Sequence, residues 1–369
     1  LATLCAELAY GSTLDHRQAL ADEALVIAER TGDDAARVRV LNLVSYPLSM
    51  PSLLEQSLAC TTDALVRAER LGDPVLTFLA AGWRTEVAAR AGDIEEMDRC
   101  MQRAGALADQ LDQPSLHWLH TYRRATRALI AGDADRAEQL ATEALQFGND
   151  SGQPDAIMLF GGQLMFVNMQ RGTLSDLVPL IEQMEADTHD IAPGMIAGVL
   201  AMAHVEGNRT DEARLVLNRL EAADFTLGPD PVWLTGMVSY AEAAIECGDP
   251  HYARPLFDQL VPFADQLSTL GGISAEGPVS HFLGGLATVL GRHDQADAYF
   301  AQAAAASARM GAKFFAARTD LSWGTLLAAR QAPGDVERAG QLLASAHDAA
   351  TANGYAVVLR RADAVRQRL

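Results

Sequence analysis

The sequence predicts an all-α protein, a tetratricopeptide-like helical-hairpin solenoid winding as a right-handed superhelix, with residues 1–369 forming a single repeat array. Three observations carry this expectation. Hydrophobic residues make up 49% of the chain and aromatics only 6%, and much of the apolar content is Ala and Leu, which are strong helix formers. Glycines recur at a near-constant spacing along the chain. No segment shows the Val/Ile/Thr alternation of a sheet strand.

The repeat is read from two interleaved series of turns. Gly92, Gly132, Gly172, Gly207, Gly248, Gly291 and Gly334 are placed to end the first helix of successive hairpins, in steps of 40, 40, 35, 41, 43 and 43. A left-handed glycine suits a helix C-cap, and the Asp or Asn that follows most of them satisfies the free N–H groups of the next helix. The second series, "TGDD" at 31–34, "LGDP" at 71–74, "LDQP" at 111–114 and "SGQP" at 151–154, lies between hairpins. Two turn series sharing one period mean two helices per repeat, longer than in the 34-residue unit of a minimal tetratricopeptide repeat.

Taken in order, the chain opens on "LATLCAELAY", which reads as helix interior. We therefore expect this chain to be a piece of something longer, or a processed product. About eight hairpins follow, with a final helix near Tyr355–Leu369. The fullest repeat match surrounds Gly291: Leu283, Gly284, Leu290, Ala296, Phe300 and Ala303 fall where the repeat requires small residues for close helix approach and large ones beside them. Weaker matches in phase follow Gly132, Gly207, Gly248 and Gly334. The loosest point is "TLGGISAEGP" at 269–278, where a slight break or bend is expected.

Composition narrows the function. A net charge of −19 repels phosphate backbones and argues against nucleic-acid binding. Cys5, Cys60, Cys100 and Cys247 stand alone, without metal-binding spacing, and read as reduced thiols of a cytoplasmic protein. The longest charge-free runs fall short of the 18 to 20 residues or so that span a bilayer, so no membrane contact is expected. No nucleophile–base arrangement follows from spacing. A non-enzymatic chain without metal or cofactor is expected.

Residues 277–355, from "GPVSHFLGGLATVLGRHDQADAYFAQAAAASARMGAKFFAARTDLSWGTLLAAR" through "GDVERAGQLLASAHDAATANGY", carry a resemblance. This stretch resembles the C-terminal helical region of large actinobacterial regulators, which join a signal-transduction NTPase module to an adenylate/guanylate cyclase domain or a LuxR-type helix-turn-helix. Lys313, the only lysine, lies in "GAKFF", so no GxxxxGK[ST] phosphate loop is present. The resemblance thus implies the arm that senses a partner or effector and restrains the NTPase, rather than the NTPase itself.

The candidate binding surface follows from the repeat. The first helix of each hairpin lines the concave face, and its groove positions hold Glu86 and Arg90; Leu119, Tyr122 and Leu129; Leu159, Phe166 and Met169; His204; Glu242; and His281. An aromatic and Met-bearing middle flanked by charges suits a protein or peptide partner, with an NTPase domain of the same full-length protein among the candidates. The same positions are also compatible with packing between helices. His117 and His120 stand at i, i+3 without an acidic third ligand and read as a surface or groove pair. Gly161 and Gly162 permit close helix packing or mark a flexible contact. Trp83, Trp118, Trp233 and Trp323 all fall on first helices, and Trp323 takes a structural position. Arg360, Arg361, Arg366 and Arg368 complement the dipole of the last helix.

The reading that results is a regulatory arm binding a protein in its groove. Two alternatives stand beside it. One is a small-molecule sensor, favoured by a polar-lined cavity near His204, Glu242 and His281. The other is an assembly module that self-associates through its terminal helix faces.

Overall fold

The computed structural model describes residues 1–187 and 192–368. The expected helical punctuation is followed closely. The chain begins with α1 (Ala2–Glu7), α2 (Leu14–Thr31) and α3 (Asp34–Ser45). The regular pairs begin with α4 (Leu54–Leu71), α5 (Pro74–Arg90), α6 (Ile94–Leu111), α7 (Pro114–Ala131), α8 (Ala134–Asp150) and α9 (Ala156–Arg171). Shorter helices follow: α10 (Val178–Asp187), α11 (Pro193–Glu206), α12 (Thr210–Ala222), α13 (Trp233–Cys247) and α14 (Pro250–Leu260). A two-stranded hairpin, β1 (Leu267–Leu270) and β2 (Ser274–Pro278), comes next. The chain then returns to helix with α15 (Val279–Val289), α16 (His293–Met310), α17 (Lys313–Arg330), α18 (Asp335–Asn353) and α19 (Ala356–Arg366). Among the described residues the fold is all-α apart from that one hairpin. No helix of the described residues is long and apolar enough to cross a membrane.

Most helices pack on their chain neighbours, chiefly α5 on α6, α7 on α8, α15 on α16 and α17 on α18. The caps explain where they start. Asp33, Asp73, Asp93, Asp133 and Asp249 each accept backbone N–H groups of the helix that follows, which removes the unpaired donors of a first turn. Six of the seven aligned glycines take φ between 66° and 86°. Gly207 does not: its φ is −80°, and the left-handed residue is the adjacent Asn208, at φ 58°. Asn tolerates that region better than other side chains, so the turn survives a one-residue shift. Inside the best-matched repeat, a Cβ on Gly284 would lie 2.6 Å from the Phe300 ring, which is the small-against-large contact the pattern requires.

The segment expected as a break is instead an antiparallel hairpin pairing Leu267 with Pro278 and Leu270 with Ser274, with a bulge between Ser268 and Thr269. Its residues are Ser, Gly, Ala and Thr more than Val or Ile, so it carries no strand-like alternation. The signal that was present is the Gly271–Gly272 pair between two short runs. Both strands are buried, against α5, α7, α9, α13, α15 and α16. An isolated hairpin is marginal in water, and this one is held by the helices around it.

Segments far apart in the chain meet in the fold. Tyr355 Oη donates to Gly132 O at 2.6 Å, Gln266 Nε2 donates to Pro51 O at 2.9 Å, and Arg17 donates to Pro229 O. One core cluster runs from Ala88 to Ala362. The N-terminal helices rest on smaller separate clusters.

Candidate functional site

The groove positions divide into two neighbourhoods. Toward the N-terminal side, the hairpin lies over them. Gly272 meets Tyr122, and a Cβ there would lie 2.4 Å from the ring. Gln163 Nε2 donates both to Tyr122 O at 2.7 Å and to Gly272 O at 2.9 Å, tying α7, α9 and the hairpin together. Gly162 accommodates Ile273, which would approach its Cβ to 2.6 Å, whereas Gly161 faces open space. The Gly162 position is therefore a packing contact with the hairpin.

The charges beneath the hairpin are paired internally. Arg123 donates to Glu86 Oε1 at 2.9 Å and to Leu119 O at 3.0 Å, and its guanidinium lies 5.0 Å from the Tyr122 ring centroid. Burial raises the Glu86 carboxyl, with Arg123 opposing. Arg90 is buried and donates to Ser49 Oγ and Met50 O, and burial lowers it to about 10. Burial also pushes the Tyr122 hydroxyl up to about 12. Phe166 is buried in the main core cluster. Glu86, Arg90, Tyr122 and Phe166 are thus packed against the chain's own elements.

The second neighbourhood is open. A cavity of about 510 Å³ lies between α9, α11, α13, α15, α17 and α19, and Met169, Glu242 and His281 line it. Its volume falls within the range of small-molecule sites. Glu242 pairs with Arg318 of α17 at 2.7 Å. Burial opposes its ionisation, but the Arg318 guanidinium, with Arg361 adding, holds it below the usual carboxylate range. Four residues on, Glu246 pairs with Arg361 of α19, and burial keeps its carboxyl raised. His281 Nδ1 lies 3.1 Å from Thr319 Oγ1, and its ring packs edge-on to Phe282. Burial, with Arg318 adding, lowers it to about 3, so the imidazole is neutral at physiological pH.

Glu206, at the end of α11, completes the polar wall. Its Oε1 accepts the Ser175 N–H at 2.9 Å. Burial nevertheless pushes its carboxyl up to about 7. Apolar surface comes from Met169, Met202, Ile245, Phe314 and Leu326.

His204 is not part of this wall. It is buried with Nδ1 unpartnered, and the acidic residues nearest in influence are Glu182 of α10 and Glu212 of α12. His117 and His120 lie apart as well. His117 stacks on Phe147 and approaches Asp112 at 3.5 Å, while burial lowers His120 to about 4. No cluster of metal-ligating side chains occurs among the described residues. Trp323 donates to Asp297 at 2.6 Å beneath Arg338. Arg361, read from sequence as a dipole-complementing terminal charge, reaches Glu246 across 115 residues.

Sequence reasoning missed Gln163, Gln170, Glu206, Arg318 and Glu246 as site residues. A signal existed for one of them: Glu242 and Glu246 stand four apart on an otherwise apolar helix, which places both on one face. No protein-family model matches the chain, and no curated protein matches it.

Proposed function

We propose that this chain is a ligand-sensing, non-catalytic regulatory arm, built as a tetratricopeptide-like solenoid, of a larger cytoplasmic signalling protein. The regulatory context and an NTPase partner rest on the resemblance of residues 277–355. The observation that carries the sensing role is the cavity of about 510 Å³ lined by Glu206, Glu242, His281, Arg318 and Arg361. Apolar walls with a few convergent polar groups are the usual makeup of a small-molecule site.

This reading takes precedence over a peptide in the groove, because the aromatic half of that groove is covered by residues 267–278. Transmission has a structural route. Helix α19 contributes Val357, Val358 and Arg361 to the cavity, and Tyr355, just before it, bonds Gly132 at the end of α7. A ligand that prefers one position of α19 biases the closure of the array by its differential affinity for the two positions.

Native mass spectrometry of the chain purified gently from a bacterial lysate tests this. An added mass of a few hundred daltons, lost on Glu242→Leu or Met202→Trp, is the expected result. A clean mass that stays unchanged after incubation with a metabolite extract overturns the sensing role and returns the protein-partner reading to the front.

A further inference from the structure

The charged side chains that line the cavity do not balance, although Arg360 acts on Glu206 from outside the lining. Three carboxylates, Glu206, Glu242 and Glu246, face two guanidiniums, Arg318 and Arg361. Each guanidinium is committed to one carboxylate, Arg318 to Glu242 and Arg361 to Glu246. His281 adds no positive charge near neutral pH. Glu206 is left with backbone N–H donors and no ion pair among the described residues. A carboxylate offers about four acceptor positions, so it retains capacity.

A second observation points the same way. Gln170 lines the cavity, is 1% exposed, and its Oε1 has no hydrogen-bond partner. Its orientation is fixed, because Nε2 donates to Leu129 O at 2.7 Å. The buried, unpartnered side-chain atom on this wall is therefore an acceptor. A buried acceptor left without a donor carries its full desolvation penalty. Both deficits call for a ligand that donates hydrogen bonds and brings positive charge.

We propose that the cavity binds a small amphipathic cation, a primary amine or guanidinium on an apolar body, with Glu206 as its counter-ion. The charged head lies between Glu206 and Gln170, and the apolar body lies against Met169, Met202, Ile245 and Phe314. The class of ligand rests on the sensing role proposed above.

The proposal also fixes a proton balance. The charged groups that bear on Glu206 are Arg361 and Arg360 on α19; Glu242 and Glu246 on α13, His281 on α15 and Arg318 on α17 share the cavity wall with it. Free Glu206 is partly protonated near pH 7. A bound cation favours the ionised form, so binding releases a proton and affinity rises as pH is raised through about 7.

A matched trio of probes tests the class: hexylamine, hexanol and hexanoate, titrated calorimetrically into the chain in buffers of differing ionisation enthalpy. Hexylamine is expected to bind about tenfold more tightly than either analogue, the size of one charge-assisted hydrogen bond, with net proton release at pH 7. Glu206→Gln is expected to abolish the discrimination and the proton release. If that variant misfolds, the pH dependence of hexylamine binding by the unmodified chain decides the matter. Preference for hexanol or hexanoate overturns the amine class and leaves the sensing role standing. Binding of none of the three also overturns the amine class. An adduct of another chemistry in the lysate-purified chain then keeps the sensing role alive, and its absence removes that too.

Discussion

Tyr355 and Gly132, separated by 223 positions, are joined by a 2.6 Å hydrogen bond from the Tyr hydroxyl to the Gly carbonyl. The Tyr355 ring also packs edge-on against Phe314, with centroids 5.0 Å apart. A helix C-terminus leaves carbonyls without helical partners, and here a side chain 223 positions away supplies a donor to one. The contact makes the end of α7 a docking point for α17 and α19.

Tyr355→Phe keeps the ring packing and leaves the Gly132 carbonyl without this donor. The expected loss is about 1–2 kcal/mol, read by urea denaturation. Gly132→Ala is expected to cost more. Gly132 has φ +81°, and a Cβ there would lie 2.7 Å from the Phe314 backbone nitrogen, a clash that no rotamer relieves. Equal stability of Gly132→Ala and the unmodified chain contradicts the closed arrangement.

The hairpin is expected to detach when Gly272 gains a side chain. Its φ is +78°, and the Tyr122 ring blocks the Cβ. A non-glycine residue in a strained backbone region costs about 1–3 kcal/mol. For Gly272→Val, limited proteolysis is expected to cut within 267–278 while the helical circular dichroism persists. Protection equal to that of the unmodified chain argues that the hairpin does not depend on this contact.

Glu276 sets a pH dependence. It is 2% exposed, Ser268 Oγ donates to it at 2.5 Å, and no cation pairs with it among the described residues. Burial raises its carboxyl above the ordinary glutamate value of 4.5. The native state therefore holds a proton that the unfolded chain releases, so this contribution is full below about 4.5 and is lost as pH rises through the folded value. Burial raises Asp230 to about 6 and Glu206 to about 7, and both act in the same direction. Glu276→Gln is expected to flatten the alkaline side of the melting-temperature profile and to raise the melting temperature at pH 8. An unchanged profile excludes Glu276 as its source.

The acidic side has the opposite sign. His281 is lowered to about 3 and His120 to about 4 by burial. The unfolded chain takes up protons near 6.5 that the native state refuses, so stability falls as pH drops from about 6.5 toward those values. His281→Gln is expected to shallow this decline in acid denaturation followed by circular dichroism. A slope identical to that of the unmodified chain removes His281 from the account.

The Glu242–Arg318 pair is nearly buried, with side-chain exposures of 17% and 12%. Breaking it from one side strands a charge, typically at about 3–5 kcal/mol. Glu242→Leu is expected to lose stability on that scale, and Glu242→Leu with Arg318→Leu to recover most of it. Additive losses in a double-mutant cycle argue against a coupled pair.

How much was legible varies along the chain. The Asp caps and left-handed glycines announced nearly every turn, because capping is settled within a few residues. The candidate groove positions all fall on helices, but Tyr122 and Phe166 are covered and His204 does not line the cavity. Glu242 and His281 do meet across it. Gln170 and Glu206 carried no local mark, since their roles depend on which partners they lack.

The sequence by itself determined that the chain is helical, where most helices begin and end, and which turns separate them. Those properties follow from short-range hydrogen bonding and backbone preference. Only the tertiary structure decided that residues 267–278 form a hairpin buried among the helices, that Arg361 reaches Glu246, that Tyr355 closes on Gly132, and that some candidate groove positions lie beneath the hairpin while others line a cavity. These depend on contacts between residues tens to hundreds of positions apart. Helical periodicity gives the face on which a side chain stands; the packing of the whole chain sets what that face meets.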